Sequence, residues 1–256
     1  MIDGLDFIGV EKVKILAFDS SNQPLTVAVI NDQTILAEKI INIKRNHSIQ
    51  LMPAIDEVLK EAKIKIKDIE RIAVAKGPGS YTGLRIAVAT AKSLAWARKI
   101  DLVAVSSLKV LAANSLEKKQ PLIVPLFDAR RENIYTGLYQ RNEKGELILL
   151  EEDTHVSASQ WASFLAEKYP KHSFLLVGMD AEKFYPYFKE KLADKVEKAD
   201  RSQNLPRASA LAFLGQAEKV VDTHQFIPSY LKRTEAEENW LEEHPEFKGG
   251  SLVEKI

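Results

Sequence analysis

Seven residues, Gly77-Pro78-Gly79-Ser80-Tyr81-Thr82-Gly83, separate a short apolar run, Arg71–Ala75, from an alanine-rich stretch with helical spacing over 82–98. A buried strand that enters a helix through such a turn implies a layered α/β chain. Glycine lets the backbone adopt positive φ and approach another group closely. The helix start beyond it offers unpaired N–H groups suited to an anion. Gly77, Gly79 and Gly83 are therefore candidate phosphate or nucleotide contacts. The same spacing also fits a tight turn shaped for packing, and sequence alone leaves both readings open. The segment is not a Walker A loop, because Leu84-Arg85 follow Gly83 where Lys-Ser/Thr is required.

The flanking pattern extends the α/β reading. Lys14–Asp19, 25–30 and 34–43 read as strands around polar turns, and Leu51, Ile55, Val58, Leu59 and Ala62 recur at helical spacing over 47–62, with Pro53 near its start. After 82–98 comes a strand at 102–105, then a helix capped by Ser106. The second half repeats the rhythm: strands at 121–128, 133–140 and 146–151, a helix at 157–168, a strand at Phe174–Val177, helices at Ala181–Leu192 and 208–221, and a short strand at 227–231. Two halves, each opening on strands and a first strand that ends in aspartate, predict a duplicated α/β lobe with a cleft between. The expected division is an N-lobe at 14–105 and a C-lobe at 106–235. Helix 208–221 is placed to pack back on the N-lobe, and 1–13 and 236–256 are terminal segments.

Asp19 with Ser20, and Asp128, close the two matching strands on one rim of the expected cleft. Carboxylates there can hold hydrated magnesium beside a phosphate or act as a base; singly, each reads as a turn-maker. Other chemistries are poorly supported. The chain has no cysteine, so thiolate metal sites, disulfides and a cysteine nucleophile are excluded. His47, His155, His172, His224 and His244 include no pair three to five residues apart, the spacing a helical metal pair needs. No G-x-S-x-G occurs. Lysine plus arginine and aspartate plus glutamate both number 36, which argues against a chain that coats nucleic acid through phosphates. The apolar run 122–127 is far short of the roughly 18 residues of a membrane span, and 1–13 lacks a signal-like apolar core. A soluble, cytoplasmic protein is expected.

Helix 82–98 is apolar on more than one side. Ala87 and Ala91 form one stripe, Ile86, Thr90 and Leu94 another, and the preceding helix adds Met52 and Ile55. These seven residues are the candidate partner interface, although the pattern fits a simple core as well. Lysines at 60–67 and 116–120 are interleaved with acids and read as solvated surface, and 235–246 is an acidic segment around Trp240.

Three segments together resemble the TsaB (YeaZ) family: 15–21 with 26–29, the block 77–86, and Asp128-Ala129-Arg130 with Glu132 and Tyr135. The segment 228–233 is similar to that family's C-terminal signature, and 1–13 precedes the family's usual start. The resemblance implies an actin-like (ASKHA) fold of two lobes with a vestigial nucleotide cleft. It also implies a non-catalytic activator of tRNA threonylcarbamoyladenosine modification that pairs with its paralogue TsaD through the two N-lobe helices. TsaE joins the assembly and tRNA is met only within it. No cofactor is expected on the chain itself, ATP or ADP being an option only at the complex interface; the apolar helix surface, costly to leave in water, would let the chain pair with itself when alone. TsaD-like enzymes carry H-x-x-x-H after the strand matching 102–105; the corresponding places here are Ser107 and Leu111, which cannot replace two imidazoles on iron or zinc. No metal and no catalysis are therefore expected. The alternative is a Mg·ATP-dependent small-molecule kinase of the same superfamily. An M22-type glycopeptidase has little left to cleave with.

Overall fold

The computed structural model describes residues 13–43, 46–115 and 121–232; the terminal stretch 1–12, the lysine cluster at 116–120 and the acidic segment 235–246 lie outside them. Strands β1 (Lys14–Asp19), β2 (Leu25–Asn31) and β3 (Thr34–Ile41) form an antiparallel meander. Helix α1 (His47–Glu61), β4 (Arg71–Ala75), α2 (Tyr81–Arg98), β5 (Asp101–Val105) and α3 (Ser107–Ala112) follow. The second half runs β6 (Leu122–Asp128), β7 (Asn133–Arg141), β8 (Leu147–Ser157), α4 (Ala158–Lys168), β9 (Phe174–Val177), α5 (Ala181–Leu192), β10 (Val196–Lys198) and α6 (Ala208–Ala217).

The sheets are ordered β3-β2-β1-β4-β5 and β8-β7-β6-β9-β10, one topology used twice. In each, the first three strands are antiparallel and the later pairings parallel. Alternation along β1 explains the layering. Leu16 and Phe18 join Leu51, Ile55, Val58, Ala87 and Ala91 beneath α1 and α2, whereas Ile15 and Ala17 join Leu211 and Ala212 of α6 on the other face. The second sheet is covered by α4 and α5 on one face and by α3 on the other. The last helix of each half thus packs on the sheet of the other half. Helix α6 is anchored by the Ala208 N–H donating to Thr26 Oγ1 at 2.9 Å, and by Glu38 of β3, which accepts from Arg207 and Ser209. Burial opposes the Glu38 carboxylate, but those donors outweigh it and hold its pKa below the usual range.

Several boundaries differ from expectation. Helix 208–221 stops at Ala217, because Val220 and Val221 turn out to cap the edge strand: Val220 bridges Val103 and the Val221 N–H donates to Leu102. An edge strand presents unpaired groups, and this segment satisfies the Leu102 carbonyl among them. The 227–231 stretch forms no strand; its Ser229 N–H donates singly to the Lys76 carbonyl at 2.7 Å. Strand β8 continues six residues beyond 151: Thr154–Ser157 pair with Asn133–Thr136 of β7, past an irregularity at Glu152 and Asp153. No described helix is long and apolar enough to cross a membrane.

Candidate functional site

The two first strands end in the same local structure. Asp19 Oδ1 accepts the Ser21 N–H at 2.7 Å, and Asp128 Oδ1 accepts the Arg130 N–H at 2.8 Å. These are Asx turns at equivalent places in the two sheets.

The start of α2 is clamped onto the first turn. Ser80 caps the helix, its Oγ accepting from Gly83, and the Ser80 N–H donates to the Ser21 carbonyl at 2.6 Å. Ser20 Oγ donates to the Gly83 carbonyl at 2.8 Å. A Cβ on Gly79 would lie 2.3 Å from the Ser21 oxygen, and one on Gly83 would lie 1.9 Å from the Ser20 oxygen. The close approach these glycines permit is therefore to the chain's own carbonyls. Asp19, Ser20 and Ser21 are fully buried as a result. Among the described residues Asp19 Oδ2 and Ser21 Oγ find no hydrogen-bond partner, and burial pushes the Asp19 carboxyl above its ordinary pKa, against the pull of Ser21 and His47.

The second turn faces solvent. Asp128 Oδ2 accepts from Lys183 Nζ at 2.6 Å, and its N–H donates to Asp180. Burial raises the Asp180 pKa. Arg130, Arg131 and Glu132 all have positive φ, 67°, 50° and 62°, a run that non-glycine residues adopt at a cost of about 1–3 kcal/mol each.

Between the turns lies a cavity of about 570 Å³, walled by Tyr81, Phe127, Asp128, Arg130 and Tyr230 among others. The Tyr81 and Tyr230 rings sit 4.9 Å apart, and the Arg85 guanidinium lies 5.4 Å from the Tyr81 centroid. Of the six residues expected at the cleft, Gly79 and Asp128 line this cavity, whereas Asp19, Ser20, Gly77 and Gly83 are not in its wall. Tyr230 was not foreseen there. Its signal was the 228–233 segment, legible as a motif but with nothing to say that it returns to the cleft.

The interface candidates divide. Ile55, Ala87 and Ala91 are buried in the first core, which corrects their assignment to a docking surface: they face the sheet, where small side chains let α2 approach it closely. Met52 is 49% exposed, and Ile86, Thr90 and Leu94 are half-buried on a flank of α2. Ile43 and Ile49 near α1 and Trp96 on α2 add exposed apolar surface. Leu111 is buried in the core beneath α3, and Ser107 is buried beside it with its Oγ unpartnered. Among the described residues no group of three or more His, Asp or Glu side chains is placed to hold a metal ion.

The doubled five-stranded topology with exchanged final helices defines the class, an actin-like (ASKHA) α/β protein. A family model described as "TsaD: tRNA N6-adenosine threonylcarbamoyltransferase" matches residues 34–240. The TsaB protein of Bacillus subtilis (strain 168), a "tRNA threonylcarbamoyladenosine biosynthesis protein", is 42% identical over 228 residues, 89% of this chain and 98% of that protein. The Escherichia coli (strain K12) TsaB is 31% identical over 134 residues, 52% of this chain and 58% of its own length. The solved structure of YeaZ from Pseudomonas aeruginosa superposes with a TM-score of 0.72 at 26% identity, covering 86% of this chain and all of that one. The chain belongs to the TsaB (YeaZ) family.

Proposed function

We propose that this chain is the non-catalytic partner subunit of the cytoplasmic machinery that forms threonylcarbamoyladenosine in tRNA. It docks on TsaD through α1 and α2, and TsaE joins that assembly. The observation that carries this reading is the apolar surface left on those helices and their margins: Ile49 at 70%, Trp96 at 67%, Met52 at 49% and Ile43 at 47% exposure. Ile43 and Ile49 lie toward the β3 edge and Trp96 toward the β5 edge, and exposed large apolar side chains along a helical layer mark an interaction surface. Without TsaD the same surface pairs two copies of the chain. The hydroxyl and isobutyl groups at Ser107 and Leu111, where TsaD-like enzymes place histidines, support an activating role over a catalytic one. The kinase reading would need both aspartates at the cleft, but Asp19 is sealed beneath Ser80 and Gly83 and Asp128 is engaged by Lys183.

The test mixes the chain with TsaD, TsaE and tRNA and assays modification with each component omitted. Omitting this chain should remove most product. A double variant, Ile49→Glu with Met52→Glu, should keep its melting temperature yet bind TsaD at least about tenfold more weakly, since each is an exposed apolar anchor. Full modification without the chain, or unchanged co-elution of the variant, overturns the reading.

A further inference from the structure

Residues 221–232 have no regular secondary structure, yet they run the length of α2 and touch both features described above. At one end the Val221 N–H donates to Leu102, and Thr223 and His224 share with Trp96 the wall of a surface indentation. In the middle Lys92 Nζ of α2 donates to the carbonyls of His224 at 3.1 Å and Phe226 at 2.8 Å, with Phe226 against the first core. At the other end the Ser229 N–H donates to Lys76, and its carbonyl occupies the space a side chain on Gly77 would take, 2.5 Å from the Cβ position. Gly77 has a φ of 108°, so glycine is required there twice over, by conformation and by this approach. Tyr230 then packs against Tyr81 with the ring planes tilted by 35°, and residues 229–232 form a wall of the inter-lobe cavity.

The segment is a strap across α2 whose last four residues belong to the cavity. Its polar ties are two backbone bonds to the sheet region, the Lys92 bonds and one ring contact, and Val221 and Phe226 pack against the first core. Without a hydrogen-bonded ladder of its own, such a segment belongs to the more readily displaced parts of the fold. Ile227 on the strap is 75% exposed, and Val220, just ahead of it, is 51% exposed and shares the surface indentation with Trp96. We propose that residues 221–232 couple the inter-lobe cavity to the α2 face, so that protein docking on α2 and occupancy of the cavity bias one and the same strap. The proposal rests on the docking reading above for its partner, and on the geometry of the strap alone for the link between its ends. Such coupling is reciprocal: whatever docking does to the cavity, contact in the cavity does to docking.

Hydrogen exchange of the full chain tests it. Tyr230→Ala perturbs the cavity end, and Lys92→Met perturbs the α2 side. Tyr230→Ala should accelerate exchange through 221–226, some way from the substitution, and Lys92→Met should accelerate the Ser229 amide. Saturating TsaD should slow exchange throughout 221–229 in the parent. Tyr230→Ala should weaken TsaD binding at least about fivefold, the lower end of measured couplings. Acceleration confined to 229–232 in Tyr230→Ala, with the Ser229 amide unmoved in Lys92→Met, overturns the coupling. Absence of TsaD binding by the parent overturns the docking reading instead, and the exchange of the two variants still decides the strap.

Discussion

The turns after β1 and β6 begin alike and end differently. Each places an aspartate at the end of the first strand of a five-stranded sheet, and each aspartate accepts the N–H two residues on at nearly the same distance, 2.7 and 2.8 Å. The second carboxylate oxygen makes the contrast. On Asp19 it is buried and unpartnered; on Asp128 it meets Lys183 near solvent. Two glycines account for much of the difference. Gly79 and Gly83 let α2 settle onto the Ser20 and Ser21 carbonyls and seal the first turn, whereas the second is left as cavity wall. One topology used twice has produced a structural joint in one lobe and an accessible rim in the other.

The contrast breaks most severely if the joint is forced open. In Gly83→Ala the new methyl would meet the Ser20 carbonyl at 1.9 Å, and that oxygen is backbone, unable to swing aside. Overpacking of this kind costs about 3 kcal/mol, and the better helix propensity of alanine returns about 1. Urea melts should show a net loss of about 2 kcal/mol, and the Ser20 amide region should lose exchange protection. Parental stability would mean that the clamp is looser than the geometry implies.

Charge at the sealed turn gives the next effect, of opposite sign. Burial raises the Asp19 pKa above the roughly 3.9 of an unfolded chain, so the folded state binds the proton more tightly. The stability contributed by that proton is complete below about pH 4 and is lost as pH rises through the folded value. Asp19→Asn keeps an oxygen for the Ser21 N–H and removes the buried charge. It should therefore be more stable than the parent at pH 8, with the gap narrowing on acidification. A gap that does not change with pH, or a loss at pH 8, would remove the charge argument.

Much of this was legible before any coordinates. The strands β1, β4 and β9 and helix α5 follow from apolar runs bounded by turn residues, and Ser106 caps α3. Long-range partners were not legible. The spacing of Ala87 and Ala91 says that something packs closely on α2 but not that the something is its own sheet. Val220 and Val221 fit a helical period, yet the unsatisfied edge of β5 outweighs that local preference. Gly79 and Gly83 announce a close approach without naming the group approached, so a phosphate and a backbone carbonyl fit the same residues. The cavity depends on Tyr230 returning 149 positions after Tyr81, a distance over which periodicity carries no information.

The single side-chain bond across the joint sharpens the comparison further. Ser20→Ala removes the hydroxyl that donates to Gly83 in a fully buried setting and leaves that carbonyl short of a partner, for a loss of about 1 kcal/mol. Combined with Gly83→Ala the two losses should not add, because the methyl already displaces the same contact. Additive losses would mean that the serine hydroxyl and the glycine act on different parts of the turn.

The smallest effect belongs to the rim. Lys183 keeps 56% of its side chain exposed while paired to Asp128, and ion pairs of that exposure contribute between nothing and about 1 kcal/mol. Asp128→Asn and Lys183→Met should each leave the urea midpoint nearly unmoved, and less moved still in high salt, where screening weakens what remains. The Asn side chain can still accept from the Arg130 N–H, so the Asx turn survives. A loss matching that of Gly83→Ala would show the second turn to be a structural joint as well. The two lobes would then differ in exposure but not in role, and the cavity wall would have to be sought in residues other than Asp128.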